Sequence, residues 1–283
     1  MLKQMGHIKV TKFHYKLRGY CQSSVVEASD GLLYVLKTSG DNVPNLLFNE
    51  AFGAELFRFF ELPAAKWIPL QLDDEFIQSN PEMWFKNGHH ELRPVSGLHF
   101  GSRLVSPKRG VGAYQIIPSS WVPKVRNRNQ FIGALALDIW TNHCDRRQAI
   151  YTRSGKHLKA TFIDNGHMFG GLEGDEMTCP RRCMNSDFAV YRGLHIHRSL
   201  ERWRKRIVAA DLSAIRMLAE ELPLVWYSPK LLARTIASLQ ARRQNLGSLF
   251  REATTIVSHP YSLNSSEFIN SLDPHTNPAM ESA

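Results

Sequence analysis

The chain has 283 residues, of which 43% are hydrophobic, and a formal net charge of +9 at pH 7. This length and composition predict a globular protein, folded either as one large domain or as two lobes that share a cleft. No apolar run reaches the roughly 18 residues of a membrane span, and the N-terminal segment has no signal-peptide pattern, so we expect a cytoplasmic protein without membrane contacts. Four cysteines are too few for a disulfide scaffold in a chain of this length, so we expect reduced thiols at Cys21, Cys144, Cys179 and Cys183.

The positive charge predicts an anionic partner, whether a nucleotide, an acidic protein or a nucleic acid. Between Arg93 and Arg128 the sequence has seven Lys or Arg residues and no acid. The spacing of zinc fingers, the aromatic signature of RNA-recognition domains and a basic region running into heptads are all missing from the sequence. The pattern therefore disfavours nucleic acid and leaves an acidic partner open.

The first elements in chain order are predicted strands. Two apolar runs, at 25–28 and 32–37, flank Asp30-Gly31, which is typical of the tight turn of a β-hairpin. The preceding loop at 18–24, with Ser23 and Ser24, has small side chains and predicts backbone N–H groups that lie over phosphates. It contains one glycine, where phosphate-binding loops usually have several.

An apolar helix is predicted from Asn45 to Glu61, with hydrophobic residues almost all the way round. Glu50 lies inside this helix, where an unpaired carboxylate would be costly. Lys37, at the end of the preceding strand, is the nearest basic candidate, and we predict an ion pair between the two side chains. The alternatives are a Lys37 that extends to solvent and a Glu50 that pairs elsewhere or is exposed.

The remaining elements divide the chain into a β-rich part and a helical part. Further strands are predicted at 67–72, 98–105 and 113–117, and a proline-rich connector follows at 118–123. Helices are then predicted at 131–140, 199–222 and 229–252. The last thirty residues contain no Lys or Arg and are rich in Ser, Asn and Pro. We therefore predict an α+β fold with a β-rich N-terminal lobe at 1–120, a mostly helical C-terminal lobe at 121–253 and a flexible tail at 254–283.

Two carboxylates stand out in the middle of the chain. Asp145 lies in the polar loop after a predicted helix, and Asp164 follows an apolar strand at 160–163, nineteen positions further on. A charge that leaves a buried strand needs a partner to offset its desolvation, and a metal ion would be such a partner. Phosphoryl transfer uses one Asp as base and a second Asp as Mg²⁺ ligand, whereas solvated turn acids are the simpler alternative.

Several motifs, in this order and spacing, resemble those of the bacterial HipA-like kinases, a branch of the protein-kinase and phosphoinositide-kinase-like superfamily. The resemblance covers roughly residues 20 to 250. The motifs are Tyr34-Val35-Leu36-Lys37, the Asn49-Glu50 helix ending in Glu61-Leu62-Pro63, Gly97-Leu98-His99-Phe100-Gly101-Ser102, the segment Asp138 to Gln148, and Phe162-Ile163-Asp164-Asn165-Gly166-His167.

The resemblance implies an ATP-dependent kinase that transfers the γ-phosphoryl group to a protein Ser or Thr or to a small hydroxylated molecule. It implies a bilobal fold with ATP in the cleft, Lys37 on the α- and β-phosphates and Glu50 holding that lysine. It also implies Asp145 as the catalytic base and Asp164 as the Mg²⁺ ligand.

One position departs from the kinase pattern. A metal-binding Asn usually stands five residues after the catalytic Asp, and here Ile150 occupies that position. The amide oxygen of Gln148 or Asn142 could replace it, and we favour Gln148. His167 flanks Asp164 and either contacts phosphate or caps a turn.

Three alternatives stay open at this level. The first is a nucleotide-binding pseudokinase without transfer activity, which the missing Asn favours. The second is a basic nucleic-acid-binding protein. The third is a zinc site formed by Cys179, Cys183, His195 and His197. Their spacings are loose compared with those of established zinc sites.

Overall fold

The computed structural model describes residues 7–19, 21–38, 45–87, 90–105, 112–171 and 182–258. The strands are β1 (Ile8–Lys16), β2 (Ser24–Ala28), β3 (Leu33–Lys37), β4 (Trp67–Leu72), β5 (Phe85–Asn87), β6 (His90–Leu92), β7 (Gly97–Arg103), β8 (Ala113–Tyr114), β9 (Gln148–Ser154) and β10 (His157–Ile163). The helices are α1 (Leu46–Phe59), α2 (Asp74–Ser79), α3 (Gln130–Trp140), α4 (Ile196–Ala209), α5 (Leu212–Glu220) and α6 (Pro229–Ser258). The protein thus has a mixed α and β fold.

Five strands in the N-terminal part close into a barrel in the order β1-β2-β3-β7-β4. The predicted hairpin is confirmed, because β2 and β3 pair antiparallel with Val25 opposite Val35. Its turn contains Gly31 at φ +73°, a backbone conformation that favours glycine. The barrel closes where β1 runs parallel to β4 with Ile8 opposite Leu70. Closure leaves these strands without an open edge.

Helix α1 is buried along nearly its whole length, as its all-round hydrophobicity predicts. It packs against β7 on the barrel side. It also contacts the C-terminal part of the chain, where the ring of Phe57 lies 5.6 Å from that of Phe162 on β10 and Phe52 stacks on Phe169 at 5.0 Å. Because α1 contacts both the barrel and β10, it brings the end of β3 close to the end of β10.

A second sheet, in the order β10-β9-β8, and helix α3 form the centre of the C-terminal part. Helix α3 is buried from Phe131 to Trp140, and α4 and α6 pack on it. The indole Nε1 of Trp140 donates to the carbonyl oxygen of Leu239 on α6 at 2.9 Å. Arg242 donates to the carbonyl oxygens of Ile139 and Trp140, so a cation caps the negative end of the α3 dipole. These contacts fix the point where α3 ends and the loop with Asp145 begins.

Some predicted boundaries differ from those of the structure. The segment predicted as one helix at 199–222 forms α4 and α5, because the chain breaks at Ala210 and Asp211 accepts a hydrogen bond from the Ser213 amide as N-cap. The strand predicted at 113–117 is limited to β8. Helix α6 continues to Ser258, so the first residues of the predicted tail are helical and the rest lies outside the described residues. In the described part of the chain, no helix is both long and apolar enough to span a bilayer.

Candidate active site

The predicted ion pair between Lys37 and Glu50 is present. Lys37 is the last residue of β3, Glu50 lies in α1, and the lysine Nζ donates to Glu50 Oε1. Both residues are buried, with exposures of 8% and 2%. The same Nζ donates to Oδ1 of Asp164 at 2.7 Å. Burial by itself would lower the pKa of Lys37, but the carboxylates of Asp164 and Glu50 outweigh it and raise that pKa, so the amine stays charged.

Asp164 lies where β10 ends, as predicted, and both of its carboxylate oxygens have donors. Lys37 donates to Oδ1 and the side-chain amide of Gln148 donates to Oδ2. Burial would raise the pKa of Asp164, but the ammonium of Lys37 outweighs it and lowers that pKa well below its usual range. Asp164 is therefore an ionised carboxylate at neutral pH.

The loop after Asp164 is bound to helix α1 by hydrogen bonds. Glu50 Oε2 accepts from the Asn165 amide at 3.1 Å, and Oε1 accepts from the Gly166 amide at 2.8 Å. Asn49 Nδ2 donates to the carbonyl oxygens of Gly166, Met168 and Gly171 at 2.8 to 3.1 Å. Glu50 therefore orients the lysine and the loop together. Asn49 was not among the predicted site residues, although an amide inside an apolar helix is a sequence signal for a buried hydrogen-bonding role.

Two glycines allow this loop and α1 to come close. A Cβ added at Gly53 would lie 2.5 Å from Met168 Sδ and 2.6 Å from Asn165 Cβ. One added at Gly166 would lie 2.6 Å from Leu46 Cδ1. All three distances are shorter than real Cβ contacts, so a side chain at either glycine would force its neighbours to shift.

Asp145 lies in the loop after α3, beside the loop that follows Asp164. Three backbone hydrogen bonds join the two loops: Cys144 N to His167 O at 2.9 Å, Phe169 N to Thr141 O at 2.8 Å, and Gly170 N to Asn142 O at 3.1 Å. The Asp145 side chain is half-buried, and its Oδ1 accepts from the Arg146 amide at 2.7 Å. The eighteen residues between the two acids fold back through the hairpin of β9 and β10, as predicted.

The two predicted amide ligands have different positions. Gln148 is exposed and contacts Asp164 directly. Asn142 is buried in the turn after α3 at φ +56°, and its main-chain carbonyl accepts from Gly170. Ile150 lies on β9 opposite Thr161.

Cys21, in the loop before β2, packs against Leu46 at the start of α1 and interacts electrostatically with Lys37 and the nearby acids. The ends of this loop close through the Leu17 amide, which donates to Ser23 O at 2.7 Å. Burial raises the pKa of the Cys21 thiol to about 11, Lys37 opposes this, and Asp164 adds to it. Cys21 is therefore close to the acids. Ser23 is half-buried, whereas Ser24 is buried in β2 opposite Leu36.

A buried ion pair that was not predicted from the sequence lies beside these loops. Asp138, on α3, is fully buried, and Arg147 donates to both of its carboxylate oxygens. His143 Nδ1 lies 3.3 Å from Asp138 Oδ1. An Asp inside an otherwise apolar helix is the signal that could have indicated this pair, because a buried carboxylate needs a cation.

The zinc alternative is not supported where the structure can test it. Cys183 is buried, whereas His195 and His197 are exposed, and Cys179 lies outside the described residues. Among the described residues, no group of three His, Cys, Asp or Glu side chains is arranged to hold a metal ion. In the same part of the chain, no disulfide joins Cys21, Cys144 or Cys183.

Comparisons with known proteins identify the fold. No protein-family model matches the sequence, and no curated protein matches it. A structure of the Golgi casein kinase with Mn/ADP bound is similar at 12% identity and a TM-score of 0.55, over 87% of this chain and 73% of that one. Hydra Fam20 with sugar is similar at 12% identity and a TM-score of 0.56, over 90% and 88%. The Helicobacter pylori proinflammatory kinase CtkA is similar at 10% identity and a TM-score of 0.53, over 91% and 98%.

At such low identity these similarities show the fold alone. The chain has the fold of these kinases, so the predicted kinase-like architecture is confirmed at that level. Membership of the HipA-like family, whose motifs the sequence resembles, is not shown, because no family model matches.

Proposed function

We propose that the chain is an ATP-dependent phosphotransferase of the HipA-like type that acts on a hydroxyl group, either a protein Ser or Thr or a small molecule. The observation that carries the proposal is that one lysine amine contacts the helix carboxylate of Glu50 and the loop carboxylate of Asp164. In this proposal the protein is cytoplasmic and bilobal. Its ATP-binding lobe spans 1–120, its catalytic lobe 121–253 and its tail 254–283.

Lys37 would bind the α- and β-phosphates of ATP, and Glu50 would orient it. An amine between two carboxylates keeps its charge, and its three N–H donors allow it to contact phosphate while it remains bound to Glu50. The small-residue loop, with Ser23 and Ser24, would cover the phosphates, and His167 would add a donor. Of the two serines, the half-buried Ser23 is the better placed to reach a ligand.

Asp164 and Gln148 fit a magnesium ion by their chemistry. Mg²⁺ in nucleotide sites takes one or two carboxylates together with phosphate oxygens and waters, so the ionised Asp164 would hold it with the phosphates. Gln148, whose side-chain NH₂ donates to Asp164 Oδ2, would add its amide oxygen once the amide turns over. When bound, the metal would neutralise charge on the phosphates. Asn142 is the second candidate for the amide ligand. The Mn and ADP in the Golgi casein kinase structure support nucleotide and divalent metal here as well.

Asp145 would accept the proton of the attacking hydroxyl. Its carboxylate is held by the Arg146 amide and is only half-buried, so an acceptor can reach it. Its loop is joined to that of Asp164 by main-chain hydrogen bonds, which fix the position of the proposed base relative to the proposed metal ligand. Most of the catalytic effect in phosphoryl transfer comes from such positioning and from electrostatics.

A pseudokinase is the second candidate. The observation that favours it is Ile150, whose side chain cannot ligate a cation. If Gln148 does not replace the missing Asn, the protein would bind nucleotide without transferring phosphate.

A nucleotide titration with and without Mg²⁺ distinguishes the two candidates. Ligand at one hundred times its Kd stabilises a protein by about 2.7 kcal/mol, which for a chain of this size raises Tm by about 5–10 °C. We expect this shift with ATP and Mg²⁺, its loss in EDTA, and ADP release that disappears in Asp145→Asn. A Tm shift without ADP release would identify the pseudokinase. Salt-sensitive binding to duplex DNA without any response to nucleotide would instead support a nucleic-acid-binding protein.

A further inference from the structure

A buried arginine connects the two loops of the candidate active site. Arg147 follows Asp145 by two positions and is 2% exposed. One edge of its guanidinium pairs with Asp138 on α3, through Nε to Oδ2 at 2.9 Å and Nη2 to Oδ1. Its Cζ lies 4.7 Å from the ring centroid of Phe57 on α1. A planar guanidinium with a forked carboxylate on one edge and an aromatic ring on its face is held in one orientation.

The other edge of the guanidinium binds the turn that presents Asp164. Nη1 donates to the carbonyl oxygens of Ile163 at 2.8 Å and Asp164 at 3.1 Å, and to Oδ1 of Asn165 at 2.8 Å. Asp164 has φ +66°, in the left-handed region that residues with a side chain rarely adopt. Such a backbone conformation persists where its surroundings hold it. Arg147 supplies that support on the carbonyl side of the turn.

Glu50 supplies the support on the amide side of the same turn. It accepts the N–H groups of Asn165 and Gly166, which lie directly after Asp164. The main chain of Arg147 is itself anchored, because its N–H donates to Cys183 O at 3.3 Å and its carbonyl accepts from Asn185 Nδ2 at 2.9 Å. One residue therefore links the loop of Asp145, through its backbone, to the turn of Asp164, through its side chain.

We propose that Arg147 is a positioning residue that sets the place of the Asp164 carboxylate relative to Asp145, with Asp138 as its counter-ion. The expected effect on Mg²⁺ binding rests on the proposed function, whereas the expected effect on the conformation of the turn does not. A lysine cannot replace the arginine, because a single ammonium cannot form the fork to Asp138 and reach the carbonyls of the turn at once.

The decisive variant replaces both partners of the ion pair by apolar residues, Asp138→Leu with Arg147→Met. Buried ion pairs can often be exchanged for hydrophobic residues without loss of stability, so this double variant separates positioning from the burial of an unpaired charge. We expect a folded protein with faster amide exchange in the peptide 163–168, by at least about tenfold. We also expect the apparent affinity for Mg²⁺ with bound nucleotide to fall about 10- to 100-fold, as for partners of metal ligands elsewhere. The readouts are hydrogen exchange by mass spectrometry, and turnover as a function of Mg²⁺ concentration.

The matched control is Arg243→Met. This partly buried arginine also donates to a carbonyl oxygen, that of Ala210 at 2.9 Å, and its Cζ lies 5.8 Å from the ring of Trp140 on α3. It should lower Tm without changing exchange at 163–168 or the Mg²⁺ requirement. If the double variant does not fold, Arg147→Lys gives the same measurements with the charge retained.

Wild-type exchange at 163–168 in the folded double variant, or in Arg147→Lys, would overturn the inference. So would faster exchange with an unchanged Mg²⁺ requirement in an active enzyme, because the arginine would then only stabilise the turn. If the wild-type protein does not respond to nucleotide and Mg²⁺, the proposed function fails and the exchange experiment still decides whether Arg147 holds the turn.

Discussion

Replacing Glu50 by glutamine tests whether this carboxylate holds the site together. Its two oxygens accept from the Lys37 ammonium and from the amides of Asn165 and Gly166, all in a buried environment. A glutamine has one acceptor oxygen and one NH₂ group, so at least one of these donors loses its partner and the ammonium loses one of its counter-charges. A buried unsatisfied donor costs about 1–3 kcal/mol, and breaking a buried ion pair costs about 3–5 kcal/mol. Because Asp164 still pairs with the lysine, we expect a loss of about 2–4 kcal/mol in the free energy of unfolding.

Urea denaturation of the full chain measures this loss, and Glu55→Gln on the same helix is the matched control. Glu55 pairs with Arg58 and accepts from Trp67 Nε1 at 2.7 Å, but it is partly exposed. Its replacement should cost about 1 kcal/mol or less. If Glu50→Gln costs no more than Glu55→Gln, the idea that Glu50 joins β3, α1 and the Asp164 loop is wrong. In the proposed kinase, Glu50→Gln should also abolish the stabilisation by nucleotide and Mg²⁺, whereas the control should retain it.

Three further predictions follow from the same contacts. Gly53→Ala places a Cβ 2.5 Å from Met168 Sδ and should destabilise the protein by about 1–3 kcal/mol. In Gly247→Ala the nearest atom is 3.7 Å away, so this substitution should stabilise α6 by up to about 1 kcal/mol. Urea titrations measure both changes. Because the pKa of Cys21 is raised to about 11, we expect its thiol to be alkylated slowly at pH 8 and more slowly still when nucleotide is bound. Mass spectrometry measures the alkylation rate, and equal rates with and without nucleotide would contradict a position of Cys21 beside the site. Burial opposes the ionisation of Asp138, but the guanidinium of Arg147 outweighs this effect and lowers the pKa of Asp138 in the folded state. The ionised carboxylate therefore stabilises the fold above about pH 4, and this stabilisation is lost as pH falls through the lowered pKa. Asp138→Asn should therefore reduce the loss of stability as pH falls below about 4, and an unchanged pH profile of the free energy of unfolding would refute this.

The sequence predicted the elements whose periodicity or turn chemistry is strong. The hairpin around Asp30-Gly31 and the buried helix α1 are examples, since a tight turn and an all-round apolar surface each allow few structures. The pairing of Lys37 with Glu50 followed from the cost of a buried carboxylate. Boundaries were predicted less well, as at Asp211, where a single N-cap hydrogen bond divides a continuous amphipathic pattern.

Local sequence was enough to identify the side chains that could place charge in a buried site and their order along the chain. Which of these side chains contact one another depends on how the distant elements pack. Lys37 contacts Asp164 across 127 residues because α1 packs on both the barrel and β10, and Arg147 turns inward to Asp138 whereas its neighbour Arg146 is exposed. No local pattern distinguishes those two arginines, because the direction of each side chain depends on packing between elements far apart in the chain. The free energy of a buried charge depends on the partner that the fold places beside it. The role of a charged residue such as Arg147 can therefore be assigned only from the packed structure.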